Sequence, residues 1–292
     1  MTILIVRIVP EGIIFGADRN VTEERTEFSS GKTIHHIFGQ NQRQKVLRWP
    51  NRQALIGYAG VGTIGGLPTD EWLYDFIGEH ISFSCFEDLA HQLKDAVQEQ
   101  RKKDEGDMDP DVLIIHLAGF EKRNSTWIPV IWYIRNSYSL VNGYYGDRRK
   151  EFACDEVLLG EIVALEKSQM EPQLQNKSKK ETEEKIKAEL LTKPEKIINI
   201  IKKCVDYNQP LGFQQGLDLP TFNTFDTFMK RAISFINIIH PEYSVPETLE
   251  EWEKVVKFSI LTYEAFFQTY NNPGEQYVGG GADIVTLKWP QL

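Results

Sequence analysis

Apolar positions along the chain fall into short β-branched runs and longer stripes of helical period. Residues 3–9, "ILIVRIV", and 13–17, "IIFGA", are joined by "PEG", a turn signal, and predict a hairpin at the start of a sheet. A polar stretch follows. Then "KVLRW" (45–49) and "RQALIGYAG" (52–60) predict a second hairpin across "PN". In 70–80, Trp72, Leu73, Phe76 and Ile77 lie at helical spacing, and in 86–100 Leu89, Leu93 and Val97 repeat every fourth residue. Strands return at "DVLIIHLAGF" (111–120) and "WIPVIWYIRN" (127–136) around a loop "EKRNS", with a further strand in "SYSLVNGYYG". Residues 155–208 change character, becoming charged and helical, and predict an insertion packed at the edge. Helices are then expected over 222–239 and 248–270, the second carrying Trp252, Val255, Val256 and Ile260. The ending "QYVGGGADIVTLKW" predicts strand, glycine turn, strand.

This order does not suit a doubly wound fold, in which parallel strands alternate with helices. It suits an α+β chain: a four-layer αββα sandwich of two antiparallel sheets, one domain over residues 1–292 with the 155–208 block inserted. No internal repeat is visible.

Composition narrows the partners. The formal charge of −9 opposes binding to nucleic acid or an anionic membrane, which needs clustered Lys and Arg. The basic "KSKK" at 177–180 runs into acidic "ETEE" and reads as a solvated face. Three separated cysteines and no CxxC pair fit a reducing compartment without structural zinc. The N-terminus lacks a signal-peptide pattern, and no apolar run is long enough to span a bilayer, so a cytoplasmic protein is expected.

Two glycine motifs imitate phosphate sites. Gly60-x-Gly62-x-x-Gly65 follows a strand and precedes a helix, but no second strand ending in an acid follows about twenty residues later. "SSGKT" (29–33) lacks the first glycine of a phosphate loop, Thr26 standing in its place. His35 and His36 are adjacent and would point to opposite strand faces, while the other histidines lack ligand-spaced companions. Neither a metal nor a cofactor is expected.

The N-terminus carries the strongest chemistry. Methionine is readily removed before a small residue, which would leave Thr2 with a free α-amine beside its own hydroxyl. An ordinary pKa near 8 leaves part of that amine neutral at pH 7, able to accept the hydroxyl proton. This is the N-terminal-threonine form of the nucleophile–base pair. It needs a cation close by, and an anion to anchor the cation.

The stretches "TILIVRIVPEGIIFGADRNVT" (2–22), "KVLRWPNRQALIGYAGVGT" (45–63) and "EQYVGGGADIVTL" (275–287) resemble proteasome β-type subunits and their bacterial relatives, which are N-terminal nucleophile hydrolases. They cover under a fifth of the chain, in order and from end to end. Thr2 and Asp18 keep the family's sixteen-residue spacing, and Lys45 opens a strand as the family lysine does. The resemblance implies that Thr2 is the nucleophile, that Lys45 lowers the effective pKa of that centre, and that Asp18 fixes Lys45. It implies that the Gly60 N–H supplies the oxyanion hole, with Arg19, Glu275 and Gly279 flanking the site. The interval between Asp18 and Lys45 is longer than in the family, so Lys32, in the polar stretch, competes for the lysine role. Glu275 and Val278 stand where proteolytic members carry aspartate and serine, and valine can neither donate nor accept a hydrogen bond.

The expectation is a threonine-dependent amide hydrolase acting on peptides or proteins, in a homo-oligomeric ring or spiral with a possible ATPase partner. A non-catalytic subunit of the same fold is the alternative. A nucleotide-binding enzyme using the Gly60–Gly65 loop is the weaker one.

Overall fold

Burial on both faces explains why the first strands are continuously apolar. In the computed structural model, β1 (Ile3–Val9) and β2 (Gly12–Asp18) form the central hairpin of a four-stranded antiparallel sheet. The model describes residues 3–29, 32–50, 54–81, 83–105, 112–137, 140–141, 144–145, 148–170, 179–206, 211, 214–216, 246–270 and 279–290. Leu4, Val6, Ile8, Ile13, Phe15 and Ala17 join the larger hydrophobic core, while Ile3, Ile5, Val9 and Ile14 form a second cluster with Trp252, Val256, Ile260 and Tyr263.

Between β2 and the next predicted strand the structure departs from the expected polar loop. Residues Asn20–Ser29 (β3) and Lys32–Gln42 (β4) pair as a long antiparallel ribbon, separate from both main sheets. The stretch carries no regular apolar alternation, so periodicity left it unseen. Lys32 accordingly opens a strand, opposite Ser29 at the far end of the ribbon from Asn20 and Gln42.

The second sheet begins with β5 (Val46–Arg48) and β6 (Ala54–Gly60). Two short strands, β7 (Thr63–Ile64) and β8 (Leu67–Pro68), lead into α1 (Thr69–Glu79) and α2 (Phe86–Glu105). Phe86, Leu89, Leu93 and Val97 give α2 its buried stripe, the helical period read in the sequence.

Strands β9 (Leu113–Arg123) and β10 (Thr126–Ser137) extend through the expected "EKRNS" loop to a two-residue turn at Asn124 and Ser125, both at positive φ. Asn tolerates that left-handed backbone, which matches the twist of a tight hairpin. After the short β11 (Leu140–Val141) and β12 (Tyr144–Tyr145) comes β13 (Arg148–Glu156), which no apolar run announced. The order of this five-stranded antiparallel sheet is β13-β10-β9-β6-β5.

The charged block forms α3 (Leu158–Met170), α4 (Lys179–Thr192) and α5 (Glu195–Asp206). Leu158, Ile162, Ile186, Leu190, Ile197 and Ile201 from these helices enter the main core. A short β14 (Gln214–Gly216) pairs with β1. The expected helix at 222–239 lies outside the described residues, and α6 (Leu249–Tyr270) corresponds to the one expected at 248–270. Its Trp252, Val256, Ile260 and Tyr263 lie on one face against β1 and β2. The last strand, β15 (Ala282–Lys288), completes the first sheet in the order β14-β1-β2-β15.

The chain is thus mixed α+β with two main antiparallel sheets. Their facing sides share one core. Gly57 of β6 marks how close they come: a Cβ there would stand 2.4 Å from the ring of Phe15 on β2. No helix among the described residues is long and apolar enough to cross a membrane.

Candidate active site

The end of β2 meets the start of β5 at a buried ion pair. Asp18 is fully buried and Lys45 is 1% exposed, with Lys45 Nζ 3.2 Å from Asp18 Oδ2. The other carboxylate oxygen, Oδ1, accepts the backbone N–H of Ile3 at 2.8 Å. Asn20 N–H approaches Oδ2 at 3.3 Å, and Lys45 Nζ also donates to the Asn20 carbonyl. One carboxylate therefore ties the first residue of β1, the first residue of β3 and the Lys45 ammonium together.

Water is excluded from this pair, and the protonation equilibria respond. Burial pushes the Asp18 carboxyl above its ordinary value, opposed by attraction to Lys45 and by the Ile3 amide. Burial pushes the Lys45 ammonium down, opposed by Asp18. A charge on Lys45 would act in low dielectric, where its field on a neighbouring proton-bearing group is strong.

The strand geometry places the two lysines far apart. The ribbon runs from Asn20 to Ser29, and at about 3.3 Å per residue its far end lies roughly 30 Å from the Asp18 end. Lys32 sits at that far end, whereas Lys45 touches Asp18.

Gly60 ends β6, paired with Leu113 and exposed. Its φ is +102°, and a Cβ would stand 1.9 Å from the Val112 carbonyl oxygen, so only glycine fits. Tyr58 N–H donates to the Lys45 carbonyl and Val61 N–H to the Val112 carbonyl. Alternation along the strand therefore aims the Gly60 N–H to the same side as that of Tyr58, the side of Lys45. Tyr58 itself is buried, which pushes its hydroxyl pKa up.

Arg19 and Gly279 are brought together: Arg19 N–H lies 3.1 Å from the carbonyls of Gly279 and Gly281. Thr2 and Glu275 lie outside the described residues, as does Val278. The glycines at 60–65 serve an antiparallel neighbourhood, since β6 pairs antiparallel with both β5 and β9. The Gly65 N–H is taken by the Asp104 carboxylate at 2.7 Å, the place a phosphate oxygen would need.

Two residues of this centre escaped sequence reasoning. Asn20 contributes through its backbone N–H and carbonyl, which no side-chain pattern reveals. Asp283, 8% exposed, accepts the Val46 N–H at 3.2 Å and stands 3.9 Å from the Arg19 guanidinium. Its signal was an acid inside an otherwise apolar terminal strand, "ADIVTL".

No protein-family model matches the chain. A search of curated proteins returns no relative.

Proposed function

We propose that this chain is a threonine-dependent amide hydrolase with the four-layer N-terminal nucleophile hydrolase fold, resembling proteasome β-type subunits. The observation that carries the reading is the bond from Ile3 N–H to Asp18, whose other oxygen holds Lys45. Ile3 directly follows Thr2 in the sequence, so the carboxylate that holds Lys45 binds the amide next to the proposed nucleophile.

With the chain processed to begin at Thr2, the Thr2 Oγ1 would attack the scissile carbonyl carbon while the Thr2 α-amine takes the hydroxyl proton. The Lys45 ammonium disfavours a second positive charge nearby, which keeps the amine neutral and able to accept that proton. The Gly60 N–H would donate to the developing oxyanion. Such a donor contributes about 3–4 kcal/mol to lowering the barrier. The protonated amine then gives its proton to the leaving nitrogen as the C–N bond breaks, leaving an ester on Thr2. Water, deprotonated by the same amine, cleaves that ester and restores the hydroxyl.

Peptides or proteins are the proposed substrates, and a homo-oligomeric ring or spiral the proposed assembly, with an ATPase as a possible feeder. Val278 favours one second reading, a non-catalytic subunit of the same fold, because it stands in the sequence where the resemblance implies a serine and can neither donate nor accept a hydrogen bond. Peptide-amide hydrolysis by the processed protein, abolished in Thr2→Ala and in Lys45→Ala but retained in Lys32→Ala, separates them. Hydrolysis that survives Thr2→Ala would refute the mechanism, and its complete absence from the processed wild type would favour the second reading.

A further inference from the structure

The sheet order leaves β5 at the rim of the second sheet, with one edge of its backbone unmatched by a ladder among the described residues. That edge is occupied by a carboxylate from the other sheet. Asp283 stands opposite Ala17 in the β15–β2 ladder, and Ala17 belongs to the core between the sheets. A carboxylate in such a place costs desolvation unless it is given donors. Its Oδ2 receives the Val46 N–H at 3.2 Å, and Oδ1 faces Arg19.

The residues next in sequence complete a circuit. Ala282, the neighbour of Asp283, pairs with Asp18, while Lys45, the neighbour of Val46, binds Asp18 through its ammonium. The two sheets are therefore crosslinked twice, from the consecutive residues Lys45 and Val46 to Asp18 on β2 and to Asp283, one register position away on the neighbouring β15. One link carries the charge that the proposed chemistry uses. The other fixes the backbone from which that charge extends.

We propose that Asp283 is a positioning residue for Lys45, clipping the start of β5 to β15 so that the ammonium is held at Asp18. The clip is a structural claim about Lys45, and its consequence for catalysis rests on the hydrolase reading above. Arg19 stands 3.9 Å from Asp283, and the Asp283 charge also acts on the Tyr74 hydroxyl of α1. Arg19, 46% exposed, compensates the carboxylate from the solvent side while Val46 binds it from within.

The test uses the full-length chain with Asp283→Ala and Asp283→Asn. Amide hydrogen exchange read by NMR at Val46 reports the clip, and the titration of Lys45 in protein carrying ε-13C lysine reports the position of the charge. In Asp283→Ala the Val46 amide should exchange about tenfold faster or more, because an amide bond to a charged acceptor is lost, and the Lys45 midpoint should move. Asp283→Asn keeps a carbonyl acceptor and should recover part of the protection. It also provides the reading if the alanine variant fails to fold. In a folded variant, unchanged Val46 exchange together with an unchanged Lys45 midpoint would overturn the proposal. Labelling of Thr2 by a peptide epoxyketone should slow in the same order, Ala more than Asn. If the processed wild type never labels, the hydrolase reading falls while exchange and titration still decide the clip.

Discussion

Removing one member of the Asp18–Lys45 pair should cost far more than removing both. With 0% and 1% exposure, neither group can recover hydration by a small movement. Asp18→Asn keeps an acceptor oxygen but removes the negative charge that balances the ammonium, which stays in the interior beside the neutral Asn20 carbonyl, and uncompensating a buried charge in this way typically costs about 3–5 kcal/mol. Lys45→Met should be milder, about 2–3 kcal/mol. Asp18 then keeps the Ile3 and Asn20 amides, and burial already favours its protonated form. The double variant replaces both charges and should lose no more than the milder single one, so the sum of the singles overshoots by about 3 kcal/mol or more. Urea unfolding at pH 7, with midpoints compared at a common slope, measures all three changes. Single variants each within about 1 kcal/mol of wild type, with an additive double, would refute a buried, coupled pair.

Gly60→Ala should destabilise by about 3 kcal/mol or more, because it combines a left-handed φ of +102° with a Cβ 1.9 Å from the Val112 oxygen. An unshifted urea midpoint would show that the β6 end is not built as described. Cys154 should resist alkylation in the folded protein. Burial pushes its thiol from 9.0 to about 12, so at pH 8 its thiolate is roughly a thousandfold scarcer than that of an ordinary thiol. Iodoacetamide labelling followed by mass spectrometry checks this, and modification as fast as in the urea-unfolded chain would contradict it.

Sequence reading succeeded where burial imposes a pattern. The runs of β1, β2, β6 and β9 are covered on both faces, and the stripes of α1, α2 and α6 are covered on one. Outside the two shared cores the pattern vanished. The β3–β4 ribbon belongs to neither sheet and shows no apolar period, and β13 is a rim strand in which Phe152 alone is a buried hydrophobic. The sixteen-residue interval from Thr2 to Asp18 and the strand-opening Lys45 were visible as spacing. Lys45 was preferred to Lys32 because it opens a strand next to the Gly60 hairpin, whereas the ribbon that carries Lys32 to its far end left no trace in the apolar pattern. Asp283 was hidden for a related reason: its partner is a backbone amide on the opposite sheet, and a link between residues 46 and 283 leaves no local trace.

The central claim is that Thr2, once exposed as the first residue, is the nucleophile beside the Asp18–Lys45 pair. Intact mass of the purified protein, taken before and after treatment with a peptide epoxyketone and followed by fragment mapping, tests it most directly. The account predicts a chain beginning at Thr2 that gains one inhibitor, mapped to Thr2, with the adduct lost in Thr2→Ala. A chain that begins at Thr2 and gains nothing, or an adduct mapped to any other residue, would contradict it.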